Sequence, residues 1–116
     1  MASLVTGAKG EVPEENRFSK VVLVENLDEP MELSVLNGRK VLFIELKGKL
    51  KLYDPFSRTI EIVGELDVYA NHEDGLLGLA IDPSFERNNY IYLVRKMSLL
   101  NGRGKIDKIR YYRIIL

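Results

Sequence analysis

The sequence predicts an all-β chain of short antiparallel strands joined by tight turns. Three observations carry that expectation. Apolar and polar residues alternate with period two over several short stretches. Val, Ile and Tyr concentrate in those stretches, the residue types that fit a pleated surface. Clusters of Asn, Gly, Asp and Pro separate them at close spacing. No stretch shows a sustained helical period.

Residues 1–17 begin MASLVTGAKGEVPEEN and hold no pattern, so they read as a leader or linker. A secretory signal joins a basic start, an apolar run and a small-residue cleavage site, and Met1–Gly10 does not combine these. Phe18–Glu25 (FSKVVLVE) is rich in Val and reads as an outer strand. Asn26–Pro30 breaks it. Residues 31–64 then read as four strands in a meander. Met31, Leu33 and Val35 alternate with Glu32 and Ser34. Asn37-Gly38 reads as a two-residue hairpin turn, since both types tolerate positive φ. Lys40–Leu46 (KVLFIEL) is dense enough for a buried strand. Lys47-Gly48-Lys49 turns the chain into Leu50–Asp54, Asp54–Ser57 turns it again, and Thr59–Val63 follows.

Glu65–Asp74 reads as a loop and carries the single histidine, His72. Residues 75–116 restart the strand pattern. Gly75–Ile81 (GLLGLAI) is a Leu-dense strand ended by Asp82-Pro83, because Pro does not continue a ladder in mid-sheet. Tyr90–Val94 is a strand, Lys96–Gly104 a polar connection, and Ile106–Leu116 a last strand. Ser34-Val35-Leu36 matches Ala80-Ile81-Asp82 at an offset of 46 positions. Blade repeats in β-propellers recur at roughly 40–50 residues with four strands each.

Composition narrows the function classes. The 116 residues are 46% hydrophobic and 29% charged, as in ordinary globular chains. With no Cys, the chain offers no disulfide scaffold, thiolate metal site or thiol nucleophile. No apolar run reaches the roughly 18–20 residues of a membrane span. The formal charge is zero, from 17 basic and 17 acidic residues. That zero is uneven: residues 1–94 hold 10 basic and 16 acidic side chains, and residues 95–116 hold 7 basic and one acidic. A basic end can contact phosphate. It can equally be the solvated face of a strand, since Ile and Tyr alternate with the charges. Gly102-Arg103-Gly104-Lys105 lacks the spacing of a phosphate-binding P-loop.

Residues 73–94 carry a more specific text. Glu73-Asp74-Gly75-Leu76-Leu77-Gly78-Leu79-Ala80-Ile81-Asp82-Pro83-Ser84-Phe85 is followed by Asn88-Asn89-Tyr90-Ile91-Tyr92-Leu93-Val94. This resembles the G-L-L-G-[ILF]-A-x-x-P-x-F…N-x-x-[IV]-Y signature of the glucose/sorbosone dehydrogenase family, the soluble quinoprotein sugar dehydrogenases. Glu29–Leu33, Asn37-Gly38-Arg39 and Gly48–Leu52 are similar to that family's first blade, and Asp107–Arg113 to a following strand. The similarity covers Phe18–Val94 best.

The resemblance implies a six-bladed β-propeller, of which the chain would hold about one and a half blades: an outer strand at 18–25, a first blade at 31–64 and a partial second blade at 75–116. It implies pyrroloquinoline quinone (PQQ) over one face, calcium nearby and oxidation of a sugar at its anomeric carbon. It places Glu73, two residues before Gly75, beside quinone and sugar, with His72 and Asp74 next to it. A carboxylate there would orient the sugar by accepting a hydroxyl hydrogen bond. The plain alternative for Glu73 is an exposed loop acid, and for His72 a loop residue. Gly75, Leu76, Leu77, Gly78, Asp82 and Pro83 are the structural part of the motif. The family's general-base histidine belongs to a later blade and is absent here, so no catalytic residue is expected in this chain, and no metal ligand set. The family's setting implies an extracytoplasmic parent.

A lone blade and a half would expose apolar faces and strand edges. The expectation is therefore a segment of a larger propeller that associates with its missing blades or with itself. Two alternatives stay open: a non-catalytic propeller module binding carbohydrate or protein, and a small independent β domain binding nucleic acid through Lys105–Arg113.

Overall fold

The computed structural model describes residues 17–68, 70, 74–102 and 104–116. They form two antiparallel sheets. The first contains β1 (Pro30–Val35), β2 (Val41–Glu45), β3 (Lys49–Asp54) and β4 (Thr59–Glu65), in that spatial order. The second contains β5 (Gly75–Ile81), β6 (Tyr90–Asn101) and β7 (Gly104–Ile115), also in order. Beyond Arg17, helix among the described residues is a 3-10 turn at Asn37–Arg39 and one α-turn, α1, at Phe85–Asn88. None of it is long and apolar enough to cross a membrane.

The sequence pattern explains both layers. On β2, Leu42 and Ile44 point toward the second sheet and are fully buried. Phe43 and Glu45 point the other way and are also buried. Burial on both sides is why Lys40–Leu46 reads as a continuous apolar run rather than an alternating one. Leu42, Ile44, Leu50, Leu76, Leu79, Ile91 and Leu93 make the core between the sheets. Each fully buried Leu or Ile there contributes about 1.5–3 kcal/mol relative to exposure.

Three expectations need correction. Phe18–Glu25 pairs with no strand among the described residues. It passes instead over the outer face of the first sheet, where Val22, Leu23, Val24 and Leu27 close an apolar cavity of about 510 Å³ with Pro30, Leu33, Phe43 and Tyr53. A strand needs an edge to pair with, and β1 and β4, the edges of this sheet, are not the surface it meets. The β1–β2 connection is also longer than two residues. It spans 36–40, closed by the Leu36 N–H donating to the Lys40 carbonyl at 2.7 Å. Positive φ falls on Gly38 (76°) and Arg39 (63°) rather than on Asn37. Finally, Lys96–Gly104 is not a loop. β6 and β7 stay in register from Tyr90↔Ile115 to Asn101↔Gly104, so the connection shrinks to 102–103. Lys96 and Ser98 lie on one face there, Met97 and Leu99 on the other, which is strand alternation hidden under a polar composition.

Backbone contacts lock the sheets together. The Leu76 N–H donates to the Leu46 carbonyl at 2.9 Å, and the Leu66 N–H to the Gly48 carbonyl at 2.8 Å. A Cβ on Gly75 would lie 2.4 Å from the Leu46 oxygen, and one on Gly48 would lie 2.1 Å from the Leu66 oxygen. Both glycines also sit at positive φ, 138° and 110°. Side chains would clash and be strained at both places. The Glu32 Oε2 accepts the Leu79 N–H at 2.7 Å, joining β1 to β5. Within the first sheet, Glu45 Oε2 pairs with Lys51 Nζ at 2.9 Å and accepts the Asp28 N–H at 3.1 Å. This ties the segment before β1 to the sheet.

Gly48→Ala and Gly75→Ala should each destabilise the chain by about 1–3 kcal/mol. Gly102→Ala, with open space around it, should stay within about 0.5 kcal/mol. Lys51→Met strands a buried carboxylate and should cost about 3 kcal/mol or more. Urea midpoints at fixed protein concentration measure all of these. Equal midpoints for Gly75→Ala and Gly102→Ala would contradict the close approach.

Candidate functional site: the rim above the β4–β5 loop

Antiparallel order sends three connections to the same end of the two sheets. These are the β2–β3 turn at Leu46–Gly48, the β4–β5 connection, described at 66–68, 70 and 74, and the β6–β7 connection that leaves β6 at Asn101. The hydrogen bonds Leu76 to Leu46 and Leu66 to Gly48 hold the first two side by side. Arg95 Nη1 donates to the Asp67 carbonyl at 3.2 Å and brings β6 against them. Together they form a rim. The 36–40, 55–58 and 82–89 connections lie at the opposite end.

His72 and Glu73 lie outside the described residues. Asp74, the third residue of that loop motif, is buried. Its Oδ2 accepts the Ser98 N–H at 2.9 Å and its Oδ1 the Ser98 hydroxyl at 2.8 Å. Asp107 Oδ1 lies 3.0 Å from the same hydroxyl, which has one proton and serves one carboxylate at a time. Lys96 Nζ stands 3.9 Å from Asp107 Oδ2. Asp74 thus fixes the end of the rim loop to β6, one residue after Glu73.

The G-L-L-G motif folds as β5, the strand of the second sheet nearest β1. Gly75 and Leu76 meet the β2–β3 turn, and Gly78 leaves room for Val94 and for the Glu32 carboxylate. Asp82 lies at the far end from the rim. Its N–H donates to the Tyr90 carbonyl. Its carboxylate accepts the Tyr92 hydroxyl at 2.5 Å, the Ser84 N–H at 2.8 Å and Asn88 Nδ2 at 3.1 Å. These bonds, that of Tyr92 first, lower the Asp82 pKa, and the same contact raises that of Tyr92. Nearby, Asn37 Nδ2 donates to Glu86 Oε1 across the two sheets. A cavity of about 310 Å³, lined among others by Val35, Ile81, Pro83 and Phe85, opens there.

The basic end does not present one cationic face. By register, Arg95, Arg110 and Lys108 share the side of Leu93, while Lys96 and Arg113 lie on the opposite side. Arg95 also stands over the Tyr112 ring at 5.8 Å and Arg113 over Tyr90 at 4.5 Å.

Sequence patterns alone do not single out Glu32, Glu45 or Ser98, although each holds a structural hydrogen bond. Glu45 has a readable signal: a carboxylate inside an apolar run needs a partner, and Lys51 lies one hairpin away.

PQQ is a polycarboxylate and calls for free cations. Of the described cations near the rim, Lys47 pairs with Asp28 at 3.2 Å, Arg95 donates to the Asp67 carbonyl and Lys96 stands 3.9 Å from Asp107. No three acidic or histidine side chains among the described residues converge to hold a metal. The described residues of the rim therefore hold no calcium ligand set of their own.

Two meandering sheets, stacked face to face with their first strands adjacent, define the chain as blades of a β-propeller. Residues 27–112 match the family described as Glucose / Sorbosone dehydrogenase, and the chain belongs to that family. Quinoprotein glucose dehydrogenase B of Acinetobacter calcoaceticus is 32% identical over 80 residues, which is 66% of this chain and 17% of that protein. A Thermus thermophilus protein described as a putative oxidoreductase (glucose dehydrogenase) superposes with TM-score 0.58 at 30% identity, covering 76% of this chain and 25% of the other. The PQQ-bound aldose sugar dehydrogenase of Streptomyces coelicolor shares the fold, with TM-score 0.60 at 19% identity over 76% of this chain and 32% of that one. The chain thus spans between a sixth and a third of the length of these relatives.

A lowered folded-state pKa at Asp82 means stability present above the ordinary carboxylate range and lost as pH falls through the folded value. Tyr92→Phe should therefore be less stable than the parent near neutrality. The gap should narrow in acid, as Asp82 protonates. Thermal melts from about pH 2 to about pH 7 measure it; a gap independent of pH would remove Asp82 as the partner.

Proposed function

We propose that these residues form the first blade and part of the second of a quinone-dependent sugar dehydrogenase. The observation that carries this reading is the joint between motif and rim. The G-L-L-G strand is the one that starts at the rim loop, and Asp74 anchors that loop directly after Glu73. The role we assign to Glu73 is to accept a sugar hydroxyl and orient the anomeric carbon, with His72, its neighbour in sequence, as a second candidate for the same contact. Orientation of this kind is a positioning contribution, and such contributions lower barriers by several kcal/mol when geometry is held rigidly. In such an enzyme PQQ would supply the hydride acceptor. Because the rim cations described above are engaged, the quinone, the calcium and the general base would be held by further blades, in an extracytoplasmic protein. The curated Acinetobacter relative, itself a quinoprotein, supports this reading.

The engaged cations favour a second reading, a propeller module that holds carbohydrate or protein without turnover. The two separate in one experiment. In a chimera, residues 27–112 replace the matched stretch of the Acinetobacter enzyme. The catalytic reading expects quinone- and calcium-dependent aldose oxidation, and Glu73→Ala in that chimera should lower kcat/KM by about tenfold or more, about 1.4 kcal/mol of transition-state stabilisation. A folded chimera that loads quinone yet oxidises no aldose would overturn it. The 116-residue chain by itself should show no turnover with PQQ, calcium and an aldose.

A further inference from the structure

We infer that Asn37-Gly38 is a site of spontaneous deamidation, and that its product breaks the side-chain bond joining the two sheets at the end away from the rim. The inference is independent of the dehydrogenase reading, since it needs only the joint between the sheets.

The chemistry needs only water. The backbone nitrogen of Gly38 loses its proton and bonds to Asn37 Cγ. The Cγ–Nδ2 bond breaks and ammonia leaves, which closes a five-membered imide. One water molecule then opens the ring. Opening at one carbonyl gives aspartate; opening at the other gives isoaspartate, whose main chain runs through the side-chain methylene. A residue after Asn hinders the attack through its Cβ, and Gly has none. Asn37 and Gly38 are both exposed, and nothing lies within 4 Å of the place a Gly38 Cβ would take. Gly38 also interrupts the 3-10 turn, with φ 76° and ψ 14°, so the attacking nitrogen sits in a connection that can open locally.

One contact restrains the amide. Asn37 Nδ2 donates to Glu86 Oε1 on α1, 49 positions away. An ionised carboxylate only accepts, so the amide has to present its nitrogen. While that bond stands, the Asn37 side chain is committed to α1 and not to the Gly38 nitrogen. Glu86 therefore guards the site.

Deamidation reverses the contact. The Nδ2 donor becomes a carboxylate oxygen, and two carboxylates then face each other where a donor met an acceptor. Asn37, Asp82 and Glu86 all line the cavity of about 310 Å³ at this end, and no basic side chain is in its wall. The new charge is a third acid there. Isoaspartate adds a main-chain methylene to the 36–40 connection as well. The joint loosens at this end, while the Leu76 to Leu46 bond still holds the rim end.

The test incubates the whole 116-residue chain in mild base and follows the peptide holding Asn37 by mass, which rises by about 1 Da on deamidation. Asn101-Gly102, the other Asn-Gly pair, is the internal reference. The Asn37 peptide should convert to a mixture of aspartate and isoaspartate. Conversion should be about twofold faster or more in Glu86→Ala, with the Asn101 rate unchanged. In guanidinium the parent and the variant should convert alike. An Asn37 that stays an amide while Asn101 converts would overturn the inference. So would equal Asn37 rates in the folded parent and in Glu86→Ala. Thermal melts read the second half. Asn37→Asp should melt about 2–4 °C below the parent near neutrality. Adding Glu86→Gln returns a donor from the opposite side and should recover most of that loss. A double variant that melts no higher than Asn37→Asp alone overturns the claim that this bond is what deamidation breaks. Should the variants fail to fold, the parent decides: its Asn37 should convert more slowly in buffer than in guanidinium, and equal rates overturn the inference.

Discussion

The approach of Gly75 to the Leu46 carbonyl is the constraint on which the rest of this chain depends. It brings the first residue of the second sheet against the turn of the first, at a distance that excludes a side chain. Leu76 can then donate to Leu46, and everything after it is set: Leu76 and Leu79 enter the core, Leu79 presents its N–H to Glu32, and the rim loop is delivered to Asp74. Weakening the contact loosens the joint over seven buried apolar side chains. Gly48 makes the matching approach to Leu66, so the loop is held at its beginning as well as at its end.

Carboxylates carry much of the remaining architecture. Glu32, Glu45, Asp74 and Asp82 each accept at least one backbone N–H. Three of these bonds join segments far apart in sequence, from 17 to 47 positions. A charged acceptor gives a stronger bond to a backbone donor than a neutral one does. The acids therefore act as fixed struts, and the rim loop they hold is the part on which the sugar-orienting role of Glu73 is proposed.

The strand order of the first sheet was legible because its turns carry Gly, Asn and Pro between alternating stretches. β5 was legible from its Leu density and its Asp-Pro stop. Two things were not. The β6–β7 ladder hides because Lys96, Ser98, Asp107 and Lys108 make a strand look like a loop, and only the cross-strand pairs Met97↔Lys108 and Ser98↔Asp107 reveal it. The path of Phe18–Glu25 hides for the opposite reason. Its Val content states that it will be extended, and says nothing about whether it pairs or lies across a face. At the candidate site, the motif located the loop. The strut role of Asp74 depends on Ser98, 24 positions away, which no local pattern announces.

All strand pairings within each sheet join neighbours in sequence. Topologies of that kind have short contact separations and fold fast for their size. The first sheet draws all its strand pairings from residues 30–65, none from the second sheet. It can therefore close on its own ladder and offer β5 a ready surface, on which the second sheet adds strand by strand.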